Sequence, residues 1–245
     1  MATIGQIAKP LYVRIARITG AGLKRTGFLA ALDRRRDRRW AHWLRSLLAI
    51  HDVDEMIALD VPWWTYEAID EVAAFLASRP DAKVFEYGSG ASTVWLAKRA
   101  KSVHSVEHDA GWYSLMQDKI VGIDHVTLEH IPADKALSDD PLFHSEKPGH
   151  IGESFADYAR AILKHDTKFD LIVIDGRGRA ACLSVAQDAL SPQGMIVFDN
   201  SRRARYQRAI VRSGMQVKHL AGLTPSLPYP DRTSLLKSGQ PANDD

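Results

Sequence analysis

The chain has 245 residues, 45% of them hydrophobic and 25% charged, which is typical of a globular protein and excludes a disordered or fibrous one. Its single cysteine, Cys182, excludes an internal disulfide and a cysteine-based metal site, and this favours a reducing compartment. The formal charge of +2 is unevenly distributed, because residues 1–39 hold ten Lys or Arg and two Asp (+8), whereas the remainder carries −6. We call residues 1–39 the basic arm.

The beginning of the basic arm has apolar residues spaced three and four apart, which predicts an amphipathic helix within the first 25 residues. No apolar run approaches the roughly 18 to 20 residues that span a bilayer, and no secretory signal is indicated. Three interpretations stay open: packing of the apolar stripe on the globule, peripheral contact with an anionic membrane, and targeting or nucleic-acid contact. The Arg-rich run 33–39 lacks the interleaved aromatic residues of a nucleic-acid module, so no nucleic-acid partner is clearly indicated. We expect a cytoplasmic protein, with peripheral membrane contact as an alternative.

Helical spacing continues from Trp40 to Ile50, and Pro62 then interrupts the periodicity. Thr65 is placed to cap a helix over residues 66–78. We therefore expect a basic helical extension over residues 1–79 and a main domain over residues 80–245. We interpret the pair Trp63 and Trp64 as core residues, and substrate-wall aromatics are the alternative.

The main domain begins with a stretch, residues 83–97, typical of a nucleotide-binding strand end. A short apolar strand ends in Glu86, and a glycine turn (Gly88-Ser89-Gly90) then leads to a helix that starts with Ser92 and Thr93. Glycines let a ligand lie against bare backbone, and the helix offers unpaired N–H groups to a polar or anionic group. Thr93 stands where a dinucleotide fingerprint has its third glycine.

A second alternating strand over residues 102–107 ends in Glu107, which is followed by His108. Glu107 lies 17 residues after Gly90, close to the position of the acid that binds ribose hydroxyls in nucleotide-binding α/β units. A charged strand end without ligand is the alternative. A helix over residues 110–120 and a strand over 125–130 come next, and Asp134 then follows as a candidate for contact with the exocyclic amine of an adenine.

The rest of the chain continues the alternation of helices and strands. Residues 135–154 are rich in Pro, Gly and Ser, and we predict a lid or substrate loop there. The pattern then predicts a helix (155–164), a buried strand ending in an acid (169–175), a helix (180–190), a turn (191–194) and a strand (195–198) that precedes Asp199-Asn200. Two further strands are predicted over residues 214–220 and 233–236.

These motifs together resemble the class I S-adenosylmethionine-dependent methyltransferases over roughly residues 80–236. The likeness is carried by Glu86-x-Gly88-x-Gly90, by Glu107, by Phe169-Asp170-x-Ile172-x-x-Asp175 and by the segment Leu190 to Val197. It implies an α/β fold with a Rossmann-like, doubly wound, mostly parallel sheet of about seven strands and an N-terminal helical extension. It also implies S-adenosylmethionine as the cofactor, with the methionine part at Gly88 to Gly90 and the ribose at Glu107. The cofactor-binding candidates are Glu86, Gly88, Ser89, Gly90, Ser92, Thr93, Glu107, His108, Asp134 and Asp175.

A narrower likeness is to the cation-dependent catechol and caffeoyl-CoA O-methyltransferases. It implies a divalent cation, Mg²⁺ or Ca²⁺, on Asp175, Asp199 and Asn200, with Asp175 and Asp199 as the catalytic acids; a hydrogen-bonded cluster at the strand ends is the alternative. The chain departs from that group in having Arg177 and Arg179 where a lysine base follows the metal-binding acid. Arginine cannot accept the proton, but it suits an anionic group of the substrate.

The base is therefore open, and His144 and His150 in the long loop are candidates. We expect O-methylation of a small-molecule or sugar-like acceptor. An NAD-dependent oxidoreductase on the same fold, and a non-catalytic binding or membrane-surface protein with a degenerate core, are the alternatives.

Overall fold

The computed structural model describes residues 27–49, 52–147 and 149–238. The helix predicted within the first 25 residues lies outside these ranges. Among the residues that the structure describes, none of the helices has both the length and the apolarity to cross a membrane.

The centre of the fold is a seven-stranded sheet in the order β3-β2-β1-β4-β5-β7-β6. Its strands are β1 (Lys83–Tyr87), β2 (Ser102–Glu107), β3 (Val126–His130), β4 (Phe169–Ile174), β5 (Leu190–Phe198), β6 (Gln216–Gly222) and β7 (Asp231–Lys237). The pairs among β1 to β5 are parallel, and β7 is antiparallel to both β5 and β6. The carboxyl ends of β1, β2, β4 and β5 therefore meet at one edge, as the sequence pattern predicts.

Helices cover both faces of the sheet. They are α1 (Phe28–Asp33), α2 (Arg39–Ser46), α3 (Val53–Leu59), α4 (Tyr66–Ala77), α5 (Ala91–Ala97), α6 (Ala110–Ile120), α7 (Ala156–Arg160), α8 (Arg179–Ala186) and α9 (Ala204–Arg212). Short 3₁₀ turns extend α2, α7 and α8, and another, Pro141–Phe143, lies inside the long loop. The doubly wound α/β fold is thus confirmed.

Two hydrophobic clusters form the core, one on each face of the sheet. Alternation along β1 assigns Val84 to one cluster and Phe85 and Tyr87 to the other. Residues of α3 and α4 belong to the same cluster as Val84. Helices that precede residue 80 therefore share a core with the strands that follow it, and the boundary at residue 80 stays a prediction.

Three local expectations differ from the structure. Residues 191–194 are not a turn but part of β5, where an irregularity in the pairing with β4 and a positive φ of 61° at Gln193 accommodate them. Helix α9 was not predicted, although its buried residues Tyr206 and Ile210 are spaced four apart, as on one face of a helix. Thr65 precedes α4 as predicted, but its hydroxyl donates to the carbonyl of Leu220 instead of capping the helix.

Candidate active site

The glycine turn follows β1 and lies against the loop that follows β4. Gly88 has a φ of +96°, and a Cβ there would come within 2.6 Å of the Gly176 Cα. A Cβ on Gly176 would in turn lie 2.1 Å from the Tyr158 hydroxyl. Gly90 adopts an extended backbone with ordinary contacts, so the need for glycine is strict at Gly88 and not at Gly90. The turn thus presents bare main chain at the edge of the sheet.

Glu86 is completely buried and lies just before the glycine turn, near the end of β1. Its carboxylate accepts hydrogen bonds from the hydroxyls of Ser92 (2.5 Å), Thr93 (2.6 Å) and Ser105 (2.7 Å). The Thr93 hydroxyl also accepts from the N–H of Gly90 at 3.0 Å. Burial raises the pKa of Glu86 to about 7, although the three hydroxyls oppose the shift. The predicted cofactor residues Glu86, Ser92 and Thr93 are therefore brought together, and they fix the shape of the turn.

Glu107 closes β2 beside the glycine turn and is 3% exposed. One carboxylate oxygen accepts from the backbone N–H groups of His108 (2.7 Å) and Asp109 (2.9 Å). The other accepts from the N–H (3.2 Å) and the hydroxyl (3.3 Å) of Ser89. Burial opposes its ionisation, but the contacts with His108 and Asp109 outweigh burial and lower the pKa of Glu107. A carboxylate held ionised at this edge is suited to accept hydrogen bonds from sugar hydroxyls.

His108 connects the ends of β2 and β4. Its Nδ1 lies 2.7 Å from a carboxylate oxygen of Glu107, and its Nε2 lies 3.2 Å from the Nε of Arg177. Because the Arg177 Nε–H is a donor, Nε2 of His108 carries no proton in this contact. The end of β1 lies between these two strands, so the pair spans the edge on which the glycine turn sits.

Two tryptophans border the glycine turn: Trp63, for which a substrate wall was the alternative to a core position, and Trp112, which the sequence analysis did not single out. Trp63 is partly buried, and its ring would be 3.9 Å from a Cβ on Gly90. The indole N–H of Trp112 donates to the Ser89 carbonyl at 2.7 Å, and the two rings lie 6.4 Å apart. Trp64 is a fully buried core residue, as predicted. Its buried indole N–H lies beside Asp175 and opposes the rise that burial causes in the pKa of that carboxyl.

Arg179 holds the ends of β4 and β5 together. Its guanidinium donates to the Gly176 carbonyl (3.0 Å), to the Asp175 carboxylate (2.6 Å) and to the Asp199 carbonyl (2.6 Å), and it lies 3.8 Å from the Asp199 carboxylate. Only 8% of its side chain is exposed. Burial raises the pKa of both Asp175 and Asp199, and Arg179 opposes the shift. The predicted role of Arg179 in substrate binding does not fit this geometry, because its donors are already used inside the protein.

The donor set predicted for a divalent cation does not fit one. Arg179 lies between Asp175 and Asp199, and the second oxygen of Asp199 accepts from the Thr233 hydroxyl at 2.8 Å. The Asn200 amide donates to Asp231 at 2.9 Å. Within residues 27–49, 52–147 and 149–238, no group of three or more His, Cys, Asp or Glu side chains is placed to hold a metal. The guanidinium of Arg179 takes the place that a cation would have between the two carboxylates. The alternative, a hydrogen-bonded cluster at the strand ends, therefore describes these residues better.

Other predicted residues have structural partners. The Asp134 carboxylate accepts from the Ser154 hydroxyl and the Ala156 N–H, both at 2.7 Å, and so holds the start of α7 instead of presenting itself to an adenine. In the long loop, His144 contacts the Ser138 carbonyl at 2.7 Å and His150 contacts Glu153 at 3.0 Å. His144 lines a cavity, described next, whereas His150 does not.

A cavity of about 510 Å³ lies between the long loop, α8 and α9. Its wall includes Arg177 and Arg179, so it adjoins the strand ends described above. Its loop side is formed by residues 140–147 without Phe143, whose buried side chain packs in the core with Arg160 over its ring. The predicted lid or substrate loop thus borders a cavity beside the site.

Comparison with known proteins agrees with this architecture. Residues 85–201 match a family model described as a methyltransferase domain. A search of curated proteins found no match to the chain. Among solved structures, a methyltransferase-like protein from Silicibacter pomeroyi is 21% identical with a TM-score of 0.49, over 75% of this chain and 93% of that chain. An O-methyltransferase from Thermotoga maritima is 13% identical with a TM-score of 0.47, over 78% of this chain and 72% of that chain. An rRNA methylase from Streptococcus thermophilus is 11% identical with a TM-score of 0.45, over 70% of this chain and 96% of that chain.

The matched residues include the end of β1, β2 to β5, the glycine turn and the acid at the end of β2. Residues 85–201 are therefore similar to a methyltransferase domain.

Proposed function

We propose that the chain transfers a methyl group from S-adenosylmethionine to an oxygen atom of a small-molecule acceptor. The observation that carries this proposal is the pair formed by the partly buried Asp175 and the buried Asp199, which lies at the strand ends next to the glycine turn and beside a cavity. A hydroxyl acceptor must lose a proton, and a carboxylate whose pKa is raised is a fitting proton acceptor.

The residues around the glycine turn fit the cofactor. S-adenosylmethionine, when bound, supplies an electrophilic methyl group on a sulfonium sulfur. Gly88 offers a main-chain surface without a Cβ, and the ionised Glu107 can accept hydrogen bonds from the two ribose hydroxyls. Trp63 and Trp112 can shield this edge from water. Positioning by these groups would account for most of the rate enhancement.

Asp175 is our candidate for the proton acceptor. Its side chain is 21% exposed, whereas that of Asp199 is 5% exposed, so Asp175 is the member of the pair that an acceptor can contact. One of its oxygens accepts from Arg179, which fixes the orientation of the carboxylate. Burial raises its pKa against the effect of Arg179, so methyl transfer should increase with pH as Asp175 loses its proton.

Calorimetry with S-adenosylhomocysteine tests the cofactor site. Glu107→Gln keeps the shape of the side chain but removes its charge, and charge-assisted hydrogen bonds contribute about 1.5–3 kcal/mol each. We expect binding to weaken by about 100-fold. Glu153→Gln, a change in the long loop, is the matched control and should bind as the parent does. Unchanged affinity in Glu107→Gln would contradict the ribose assignment, and tighter binding of NADH than of S-adenosylmethionine by the parent would favour the oxidoreductase alternative.

Transfer of labelled methyl to a panel of hydroxyl-bearing compounds tests the reaction. Asp175→Asn should remove transfer to these compounds while S-adenosylhomocysteine still binds. Methyl incorporation only into RNA or protein would overturn the small-molecule proposal.

We propose that the protein is cytoplasmic and that the Arg-rich turn of the basic arm contacts anionic membranes peripherally. Arg34, Arg35 and Arg36 are exposed beside α1, and Trp40 is 51% exposed. Packing also contributes, because Leu29 and Leu32 bury against α2. Co-sedimentation of the full chain with vesicles containing phosphatidylserine should fall when the three arginines are replaced by glutamine, and equal sedimentation would leave packing as the only role.

A further inference from the structure

We infer that the cavity between the long loop, α8 and α9 is the acceptor subsite and that it binds a small molecule carrying a phosphate or carboxylate group. This inference rests on the proposed methyl transfer to a small molecule, and it adds the chemical class of the acceptor.

The size and construction of the cavity suit a small organic molecule. Its volume of about 510 Å³ falls within the roughly 300 to 1,000 Å³ of typical ligand pockets. The loop side is held in place: Phe143 is 5% exposed, and His144 pairs with Ser154 as an isolated β-bridge. The opposite side consists of two helices that contact each other. The cavity is therefore built from supported segments.

The charge of the cavity wall is strongly positive. The wall contains two acids, Asp140 and Glu146. Its six basic side chains are Lys147, Arg177, Arg179, Arg205, Arg208 and Arg212. An excess of positive charge in a concave site concentrates anions and favours charge-assisted hydrogen bonds to phosphate or carboxylate.

Several of these cations have little acidic compensation within the protein. Among the described residues, the guanidinium of Arg212 has no ion pair or hydrogen bond, and the one ion pair of Arg208, to Glu146 at 3.6 Å, joins two side chains that are about 60% exposed. Arg205 lies over the Tyr206 ring at 4.7 Å and donates to its hydroxyl at 3.3 Å. These three guanidinium groups come from α9 and face the cavity, so they can pair with an anionic ligand.

The cavity adjoins the edge of the sheet at which we propose methyl transfer. Arg177 lines the cavity and also contacts His108, the neighbour of the ribose-binding Glu107. Arg179 lines the cavity and also holds the proposed proton acceptor Asp175. An anion bound by the α9 arginines would therefore keep the rest of its molecule next to these groups.

A nucleic acid fits the same charges less well. The basic residues surround one cavity instead of following an extended stripe, and Tyr206, the aromatic residue in the wall, is 9% exposed and offers no platform for stacking bases. We therefore favour a small anion.

The test measures binding of inorganic pyrophosphate and of citrate to the full chain by calorimetry at physiological ionic strength. The double variant Arg208→Gln/Arg212→Gln should weaken binding of at least one probe by about tenfold, which corresponds to 1.4 kcal/mol. Arg202→Gln, an exposed arginine outside the cavity wall, is the control and should bind both probes as the parent does. Preferential binding of pyrophosphate would indicate a phosphate-bearing acceptor, and preferential binding of citrate a carboxylate-bearing one.

S-adenosylhomocysteine is titrated into the same proteins to separate this inference from the proposed function. All variants should bind it as the parent does. If the parent binds S-adenosylhomocysteine but neither anion, or if the double variant binds the anions like the parent, the anionic subsite is overturned and methyl transfer stands. If the parent binds the anions but not S-adenosylhomocysteine, the proposed function is overturned. If the parent binds a uridine oligonucleotide but neither anion, and the double variant does not bind the oligonucleotide, the ligand of the cavity is RNA and not a small molecule.

Discussion

Replacing Glu86 with glutamine should change how the stability of the protein depends on pH. Glu86 is buried without a cationic partner among the described residues, and only three hydroxyl groups contact its carboxylate. In Glu86→Gln the side chain keeps its size, and the hydroxyls can rotate to donate to the amide oxygen or accept from its N–H₂. The variant therefore removes the ionisation and leaves the packing in place.

The magnitude follows from the pKa of Glu86. Burial raises it from 4.5 to about 7, so the folded state holds the proton more tightly than the unfolded state. The stabilisation from this proton is complete below pH 4.5 and is lost as the pH rises through about 7. A shift of about 2.5 pKa units corresponds to a loss of about 3 kcal/mol in the free energy of unfolding.

Urea unfolding measured across this pH range gives the free energy of unfolding of each protein. Relative to Glu86→Gln, the parent should lose about 3 kcal/mol between pH 4.5 and about pH 7.5. Glu71→Gln, which changes a surface carboxylate paired with Lys218, should keep the pH dependence of the parent. If parent and Glu86→Gln show the same dependence on pH, Glu86 does not titrate in the folded state as described, and the reasoning is refuted.

Three further variants test other parts of the site. Gly88→Ala should lose S-adenosylhomocysteine binding in calorimetry, because its Cβ would lie 2.6 Å from the Gly176 Cα; parent-like affinity would contradict the close contact. Arg179→Met should lower the free energy of unfolding by about 3–5 kcal/mol, measured in urea, because two carboxylates lose their buried partner. A smaller loss than in the control Arg203→Met would contradict the role of Arg179 in holding the ends of β4 and β5 together. Trp112→Phe should weaken cofactor binding by a few-fold, since an aromatic ring remains at this position but the indole N–H that donates to the Ser89 carbonyl is lost. Trp40→Phe is the control.

The order of elements and the position of the site could be predicted from the sequence because their signals are local. Buried parallel strands are continuous apolar runs that end in an acid or glycine, as β1 and β4 do, and these ends must meet at one edge. Glu86, Gly88, Ser89, Thr93 and Glu107 were found in this way, and the structure brings them together.

The partners of each polar group could not be predicted, because they depend on contacts between distant segments. Arg179 follows a strand-ending acid, but only the packing of β4 against β5 places its guanidinium between two carboxylates. Asp134 follows the end of β3 by four residues, where a ligand-binding acid could stand, and yet its oxygens face the start of α7, 22 residues later. The residues 191–194 have the composition of a turn, and only their pairing with β4 makes them part of a strand.

The contact between Gly88 and Gly176 makes two loops from distant parts of the chain depend on each other. A Cβ on Gly88 would lie 2.6 Å from the Gly176 Cα, and a Cβ on Gly176 would press on the Tyr158 hydroxyl and lie 3.1 Å from the Gly88 nitrogen. A side chain at either position would therefore move the glycine turn or the loop that carries Arg177. A change at one glycine could not make room for a side chain at the other, because the Tyr158 hydroxyl also closes the space at Gly176.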